Sequence, residues 1–503
     1  MAGNLTDFFS AIEECERRYP VSRWSIDGVP AWPFVRIEGR QELARDTASK
    51  NRHRPLASRI LNLARFAAAP LLDVLRNFMD WKHEELLLKP VDALFLGDGV
   101  SHDCIKGAWR DRYCAPLIAA LEANGGTALL MQPRTQRLPR ERDTYSVQWI
   151  AAWGHLLSRL KPASQVNLPD YDNVKAVFQS KGFDLRVLDL PVLRRWGVKV
   201  AAMARMFGPV LDRTKPQIGF VVGYYWDVGF AFDLACRRRS ILTVDIQHGS
   251  QDGRHEAYNF WAAMPAVGYS ILPSIFWTWT EEDANGINSW AQNLTAPWHR
   301  AVWGGHPQFA AWLDENHLET LEFDARIASI RQRGNGTFDI LVALQDLDGY
   351  GGVWDRLAET VMSSPPTWRW WLRRHPWAAY NRGVGIKNLI ALKRPNIIIE
   401  EAGTLPMPAL LRNVDAVLSL MSSTAVEAAF FGHRPIFLTQ DARMQFSAIF
   451  KTNRADIITD KQALIEHLTA LEQGHGRVQR RPHRSNLRDT VRDLFVSAKG
   501  YRN

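Results

Sequence analysis

In ILTVDIQHGSQDGRHEAY, Ile241 to Tyr258, a strand-like run ends in Asp245, Gln247, His248 and Gly249, and the loop beyond adds Arg254, His255 and Glu256. A carboxylate so placed can act as nucleophile or base, and an imidazole can give or take a proton where an oxygen gains charge. Two more stretches share this form. WRWWLRRHPW sets Arg373, Arg374 and His375 behind apolar residues, and guanidinium forks bind phosphate or carboxylate bidentately. DAVLSLMSSTAVEAAFF runs a buried strand into Ser422, Ser423 and Thr424 and opens a helix at once. Hydroxyls and free N–H groups at a helix start suit an anion, although Ser and Thr are also the commonest plain caps. Together, the Arg-His and Ser-Ser-Thr elements point to a phosphate-bearing ligand. Two further runs end in acids: DALFLGDG in Asp98 between glycines, and IGFVVGYYWD in Tyr225 and Asp227, the latter where a helix dipole would keep it ionised.

What must position these residues is an alternation of strand and helix. DALFLGDG, TALLMQP, IGFVVGYYWD, ILTVDIQHG and IFWTWT are separated by helix-like segments. After about residue 320 the pattern restarts with FDILVALQD, TWRWWLRRHP, NIIIEEAG, DAVLSLMSS, RPIFLTQD and ADIITD. Such alternation means βαβ units and parallel sheets covered on both faces. The expected class is α/β, with two Rossmann-like domains facing across a cleft and ligands beyond the carboxyl ends of the strands. The expected divisions are 1–88, a helical N-terminal extension; 89–320, the first domain; 321–475, the second; and 476–503, a basic tail or helix.

Composition narrows the partners. The chain has 503 residues, 46% hydrophobic and 23% charged, with a net charge of +9, which suits an anionic substrate or surface. Its Arg residues are not clustered with aromatics as in a nucleic-acid groove, so no nucleic-acid partner is expected. Four dispersed cysteines form no disulfide framework and no zinc ribbon. The motifs HExxH, GxGxxG, GxxxxGK[ST] and GxSxG are all absent. Asp346-Leu-Asp348 has metal-nucleotide spacing, but a Gly-rich turn explains it more simply. The uncharged run Phe260 to Thr280 is broken by Pro265, Gly268 and Pro273 and reads as a buried loop entering a strand. The N-terminus carries no export signal, which makes the expected location cytoplasmic. The basic amphipathic stretch Arg52 to Arg76 and the tail GRVQRRPHRSNLRDTVR suit either a solvated face or an anionic membrane surface. Trp226, Trp261, Trp277, Trp279, Trp371 and Trp377 fall near the expected cleft, where an aromatic face suits a sugar, core packing being the default.

The order of His375-Pro376, then Ser422-Ser423 before VEAAFFGHRPIF, resembles the GT-B glycosyltransferases that use cytidine monophosphate sugars, namely bacterial sialyltransferases and the β-Kdo transferases of capsule and O-antigen assembly. WSIDGVPAWPFVR (Trp24 to Arg36) and DIQHGSQDGRHEAYNFW also resemble the β-Kdo group, over roughly Trp24 to Asp460. The resemblance implies transfer of an acidic sugar, Kdo above all, from a CMP-activated donor to a saccharide or glycolipid acceptor, without metal or cofactor. It implies that His375 contacts the nucleotide phosphate and that Ser422 and Ser423 hold it, a site to which Arg374 and Thr424 could add donors. Arg373, Arg254, Gln247 and Tyr225 would contact substrate. Asp227 is the favoured retaining nucleophile, then Asp98, with His248 and His255 as acid–base groups. Asp245 could instead be a buried residue that orients His248. Gly97-Asp98-Gly99 has one acid where sialyltransferases carry two. A CDP-glycerol-type polyol-phosphate transferase and a UDP-sugar transferase are the alternatives of the same fold, and a non-catalytic carbohydrate or lipid-carrier binding protein is the alternative of another class. The expected place of action is the cytoplasm, with peripheral attachment to the inner membrane as an option.

Overall fold

The computed structural model describes residues 5–49, 85–133, 142–251, 255–259, 261–294, 298–314, 317–345, 347, 350–375, 383–392, 394–474 and 487–501. Its strands, in chain order, are β1 (Ser25–Ile26), β2 (Val29–Pro30), β3 (Ala93–Leu96), β4 (His102–Ile105), β5 (Ala108–Asp111), β6 (Ala128–Gln132), β7 (Thr144–Ser146), β8 (Val166–Asn167), β9 (Ile218–Val222), β10 (Leu242–Ile246), β11 (Ile275–Thr278), β12 (Arg300–Trp303), β13 (Phe338–Ala343), β14 (Trp368–Arg373), β15 (Ile397–Ile398), β16 (Ala416–Ser419), β17 (Ile436–Phe437) and β18 (Asp456–Ile457).

Among the described residues, a seven-stranded sheet runs β12-β11-β10-β9-β3-β6-β7 and a six-stranded sheet runs β15-β14-β13-β16-β17-β18. Every pairing within them is parallel. Each of the eleven runs read as strands from the sequence contains one. Six of them, β3, β9, β10, β13, β14 and β16, were legible because they are buried along their whole length. In each sheet the strand order reverses beside the strand that enters first, between β3 and β9 and between β13 and β16. This is the two-sheet GT-B arrangement.

Residues 5–49 are built into the first unit. Phe8, Ile12 and Cys15 lie on one face of the Leu5–Arg18 helix and are buried. They join Trp24, Trp32 and Val35 in one core with the Leu190–Thr214 helix. Phe34 stacks on Trp196 of that helix with ring centroids 4.2 Å apart. The basic stretch Arg52 to Arg76 lies outside the described residues. Among those described, no helix is long and apolar enough to cross a membrane.

The described part of the C-terminal tail is packed against the first unit. Leu487–Tyr501 is a helix whose Leu487, Val491, Leu494 and Ala498 are buried with Leu117, Ile118 and Leu121 of the Cys114–Glu122 helix, so its apolar face is occupied by the first unit. Asn124 Nδ2 donates to the Arg488 carbonyl at 3.0 Å at the same junction. Residues 475–486 lie outside the described residues. Leu494, 3% exposed, should therefore matter where Val496, 67% exposed on the same helix, should not. Leu494→Ala is expected to cost about 2–3 kcal/mol in denaturant unfolding, and Val496→Ala less than about 0.5 kcal/mol.

Candidate functional site

The reversal between β3 and β9 puts Gly97, Asp98 and Gly223 at adjacent strand ends. Asp98 Oδ1 accepts from the N–H groups of Val100 and Ser101 at 2.9 and 2.8 Å, and Oδ2 from Ser101 Oγ at 2.6 Å, which fixes the turn out of β3. Beneath it, Asp111 accepts from Gln132 Nε2 at 2.6 Å and from the N–H groups of Tyr113 and Cys114, while His102 Nε2 lies 3.2 Å from Gln132 Oε1. A Cβ on Gly97 would fall 2.5 Å from Asp111 Oδ2, so only glycine admits this packing. Burial pushes the Asp111 carboxyl up, with His102 pulling against it.

From β10 comes His248. Its ring lies over Gly223, where a Cβ would stand 2.5 Å from His248 Cε1 and where φ is +63°. His248 Nε2 is 3.2 Å from the Tyr225 hydroxyl, and the buried Nδ1 has no hydrogen-bond partner among the described residues. Burial pushes this imidazole down to about 4, against the attraction of Asp98. It is therefore neutral near pH 7, with one donor and one acceptor nitrogen. The Tyr225 ring lies 5.6 Å from the His248 ring and 5.7 Å from that of His255, whose pKa burial also lowers. Three expected site residues, Tyr225, His248 and His255, are thus side by side.

The second sheet brings His375 from β14 and the Ser422 turn from β16. Burial, then Arg112, pushes His375 down to about 4. Arg112 follows β5 in the first unit, and its guanidinium pairs with Asp103 Oδ1 at 3.0 Å, while its Nε has no hydrogen-bond partner among the described residues. The junction is polar on both sides. Gln308 Nε2 reaches Asp103 Oδ2 at 2.5 Å, and His306, stacked on Phe309 at 3.6 Å, places Nε2 3.9 Å from Oε1 of buried Glu427. Glu427 belongs to the Thr424–Phe430 helix that begins at the Ser turn. A cleft of about 270 Å³, open solvent included, lies between the units, lined by Gln247, Ser250 and Asp283 on one side and Val426, Phe446, Ala448 and Ile449 on the other.

Several residues do other work than the sequence led us to expect. Gln247 is fully buried and its side chain is consumed: Nε2 donates to the Gly249 carbonyl and Asp283 Oδ2, and Oε1 accepts from Trp279 N–H. It braces the turn after β10 and is not free for substrate. Arg373 is buried and donates to the carbonyls of Ala402 and Leu405, and burial pushes it down to about 10. Asp227 does open a helix, but its carboxylate is ion-paired with Lys199 of the Leu190–Thr214 helix. In the Ser turn, Ser422 Oγ donates to Thr424 Oγ1 at 3.1 Å and accepts from Thr424 N–H at 3.3 Å, while Ser422 N–H goes to Ser419 Oγ at 2.9 Å. Two of the N–H groups expected to be free there are already bonded. Ser423 is the cap residue and makes no side-chain cap bond. Arg374 is exposed, 3.4 Å from Glu400. Trp277, Trp279 and Trp371 are core, Trp371 donating to Asp339 Oδ1 at 2.6 Å. Arg254, Pro376, Trp377, Asp346 and Asp348 lie outside the described residues.

Arg112, Asp111 and His102 were missed because β4 and β5 were not foreseen. The available signal was Lys106-Gly107, a two-residue turn with φ of +50° and +81° that joins them as an antiparallel hairpin.

No protein-family model matches the chain, and no curated protein matches it. Solved structures do. The chain is similar to the UDP-GlcNAc 2-epimerase from Methanocaldococcus jannaschii, with a TM-score of 0.50, 13% identity, and coverage of 80% of this chain and 99% of that one. The UDP-GlcNAc 2-epimerase from Neisseria meningitidis bound to UDP-GlcNAc gives 0.49, 14%, 80% and 99%. The wall teichoic acid polymerase TagF gives 0.40, 10%, 86% and 95%. The fold is GT-B. At these identities the likeness extends to architecture and no further.

Asp245 lies behind the site, accepting from Tyr224 N–H at 2.9 Å and the Tyr258 hydroxyl at 3.0 Å. Burial pushes its carboxyl from an ordinary 3.8 up to about 8, against those bonds. The folded protein thus holds a proton that the unfolded chain loses near pH 4. The cost of charging this group is absent below that pH and grows as pH rises towards 8. Asp245→Asn has no proton to lose. Its thermal midpoint, relative to wild type, is expected to be higher at pH 8 than at pH 5, and an equal difference at both would contradict a raised carboxyl.

Proposed function

We propose that the chain is a glycosyltransferase that moves an acidic sugar, Kdo above all, from a CMP-activated donor to a saccharide or glycolipid acceptor. The observation that carries this reading is a polar strand edge in each unit: Asp98, Tyr225, His248 and His255 after the strands of the first sheet, and His375 and the Ser422 turn after those of the second, with the Arg112–Asp103 and His306–Glu427 pairs at the junction between the units. In the proposal the donor phosphate lies against His375, Arg374, Ser422, Ser423 and Thr424, with Arg112 completing the set from the other unit. Cationic and hydrogen-bond donors fixed at a leaving phosphate lower the barrier without a metal.

In the proposal the catalytic carboxylate is Asp98 in preference to Asp227, because Asp98 follows β3, next to β9 and the Tyr225 that it leads to, whereas the Asp227 carboxylate is ion-paired with Lys199. The carboxylate attacks the anomeric carbon, the bond from that carbon to the phosphate oxygen breaks, and its electron pair leaves on CMP. An acceptor hydroxyl then attacks the same carbon, passes its proton to neutral His248 or His255, and releases the carboxylate, with retained configuration. Peripheral attachment to the cytoplasmic face of the inner membrane through the basic stretch Arg52 to Arg76 belongs to the same proposal.

Thermal shift with CMP, CDP, UDP and ADP at matched concentrations tests the nucleotide, since a ligand at about 100 times its Kd stabilises the native state by about 2.7 kcal/mol. CMP is expected to shift the midpoint most and His375→Ala to shrink that response. A larger shift with UDP would make the chain a UDP-sugar transferase, and with CDP a polyol-phosphate transferase, while none at all would leave a non-catalytic protein. Intact mass after mixing with CMP-Kdo is expected to show a sugar adduct on wild type and Asp227→Asn, and none on Asp98→Asn.

A further inference from the structure

One buried side chain of the N-terminal helices reaches the candidate site. Arg36, in the Trp32–Ser49 helix, is 0% exposed. Its Nη1 donates to Glu16 Oε1 at 2.6 Å, its Nε to the Glu256 carbonyl at 2.8 Å, and its Nη2 to the Asn259 carbonyl. The guanidinium also lies 4.3 Å from the Trp261 ring centroid. Glu16 closes the arrangement, because Oε1 accepts from Trp32 Nε1 at 3.0 Å and Oε2 from the Ala262 N–H at 2.6 Å. The pair therefore grips Glu256, Asn259, Trp261 and Ala262 at once. His255 is bonded into this loop, its Nδ1 accepting from Ala257 N–H at 3.2 Å, with its ring 4.8 Å from that of Tyr258.

A buried ion pair contributes little net stability, because desolvation offsets its attraction, so strength alone does not explain this one. Direction does. Two carbonyls and a carboxylate at different angles need the planar fork of Arg, and a Lys ammonium cannot serve all three. We propose that Arg36 is a positioning residue, which with Glu16 fixes the loop that holds His255 against Tyr225, so that residues 5–49 form part of the catalytic apparatus. Its bearing on turnover rests on the transferase reading above; its bearing on the loop does not.

The test compares wild type, Arg36→Lys and Glu16→Gln by amide hydrogen exchange without substrate, by CMP-induced thermal shift, and by transfer kinetics. In Arg36→Lys, exchange at Glu256 to Asn259, Trp261 and Ala262 is expected to rise at least ~10-fold, equivalent to ~1.4 kcal/mol of local opening, with β13 and β16 unchanged. The CMP shift should stay as in wild type. Turnover should fall by about 10-fold with KM for the donor within about 2-fold, which a general loss of stability would not produce. Unchanged exchange in the loop, or full turnover with a loosened loop, overturns the proposal. If Arg36→Lys does not fold, Glu16→Gln decides: it keeps the acceptor for Trp32 and removes the charge, and unchanged loop exchange in it overturns the proposal equally. A wild type that ignores every nucleotide would sink the transferase reading, while loop exchange would still decide the role of Arg36.

Discussion

A parallel sheet puts the carboxyl end of every strand on one edge, and each edge residue then depends on the next few to decide whether it enters solvent, core or site. Both sheets of this chain are parallel. The polar groups that follow β3, β9 and β10 therefore gather on one edge, and those that follow β14 and β16 on another. The Asp103, Arg112, His306 and Glu427 junction ties the two edges together. Without that directional constraint the same residues would be scattered over a surface.

Burial then sets their protonation. His248 and His375 are held neutral because water is largely removed from them, and Asp245 is held protonated for the same reason. The strand ends thus present neutral donors and acceptors around the retained charge of Arg112. Such a set can meet an anion and pass a proton near neutral pH without first paying to discharge itself.

The strands were legible in the sequence because a strand buried on both faces has to be an unbroken apolar run. Among those that escaped notice, β12 is partly exposed, β7 has only three residues, and β4 alternates. His248, His255, Tyr225 and Asp98 were legible as polar residues at strand ends. Gln247 was misjudged because residue type does not say which way a side chain turns once a strand has ended, and here it turned into Asp283 and Trp279. The ion pair of Asp227 with Lys199 was not legible, because the partner comes from another helix. Arg36 could not be assigned a task from a pattern at all, since the Glu256 carbonyl it meets is 220 positions away.

The central claim is that both strand edges serve one nucleotide phosphate. A crystal structure of the protein soaked with CMP tests it most directly. The account predicts the phosphate within about 3.2 Å of donors from His375, from the Ser422 to Thr424 turn and from Arg112. A phosphate bound away from all three, or bound by one unit with Arg112 still turned only to Asp103, would contradict it.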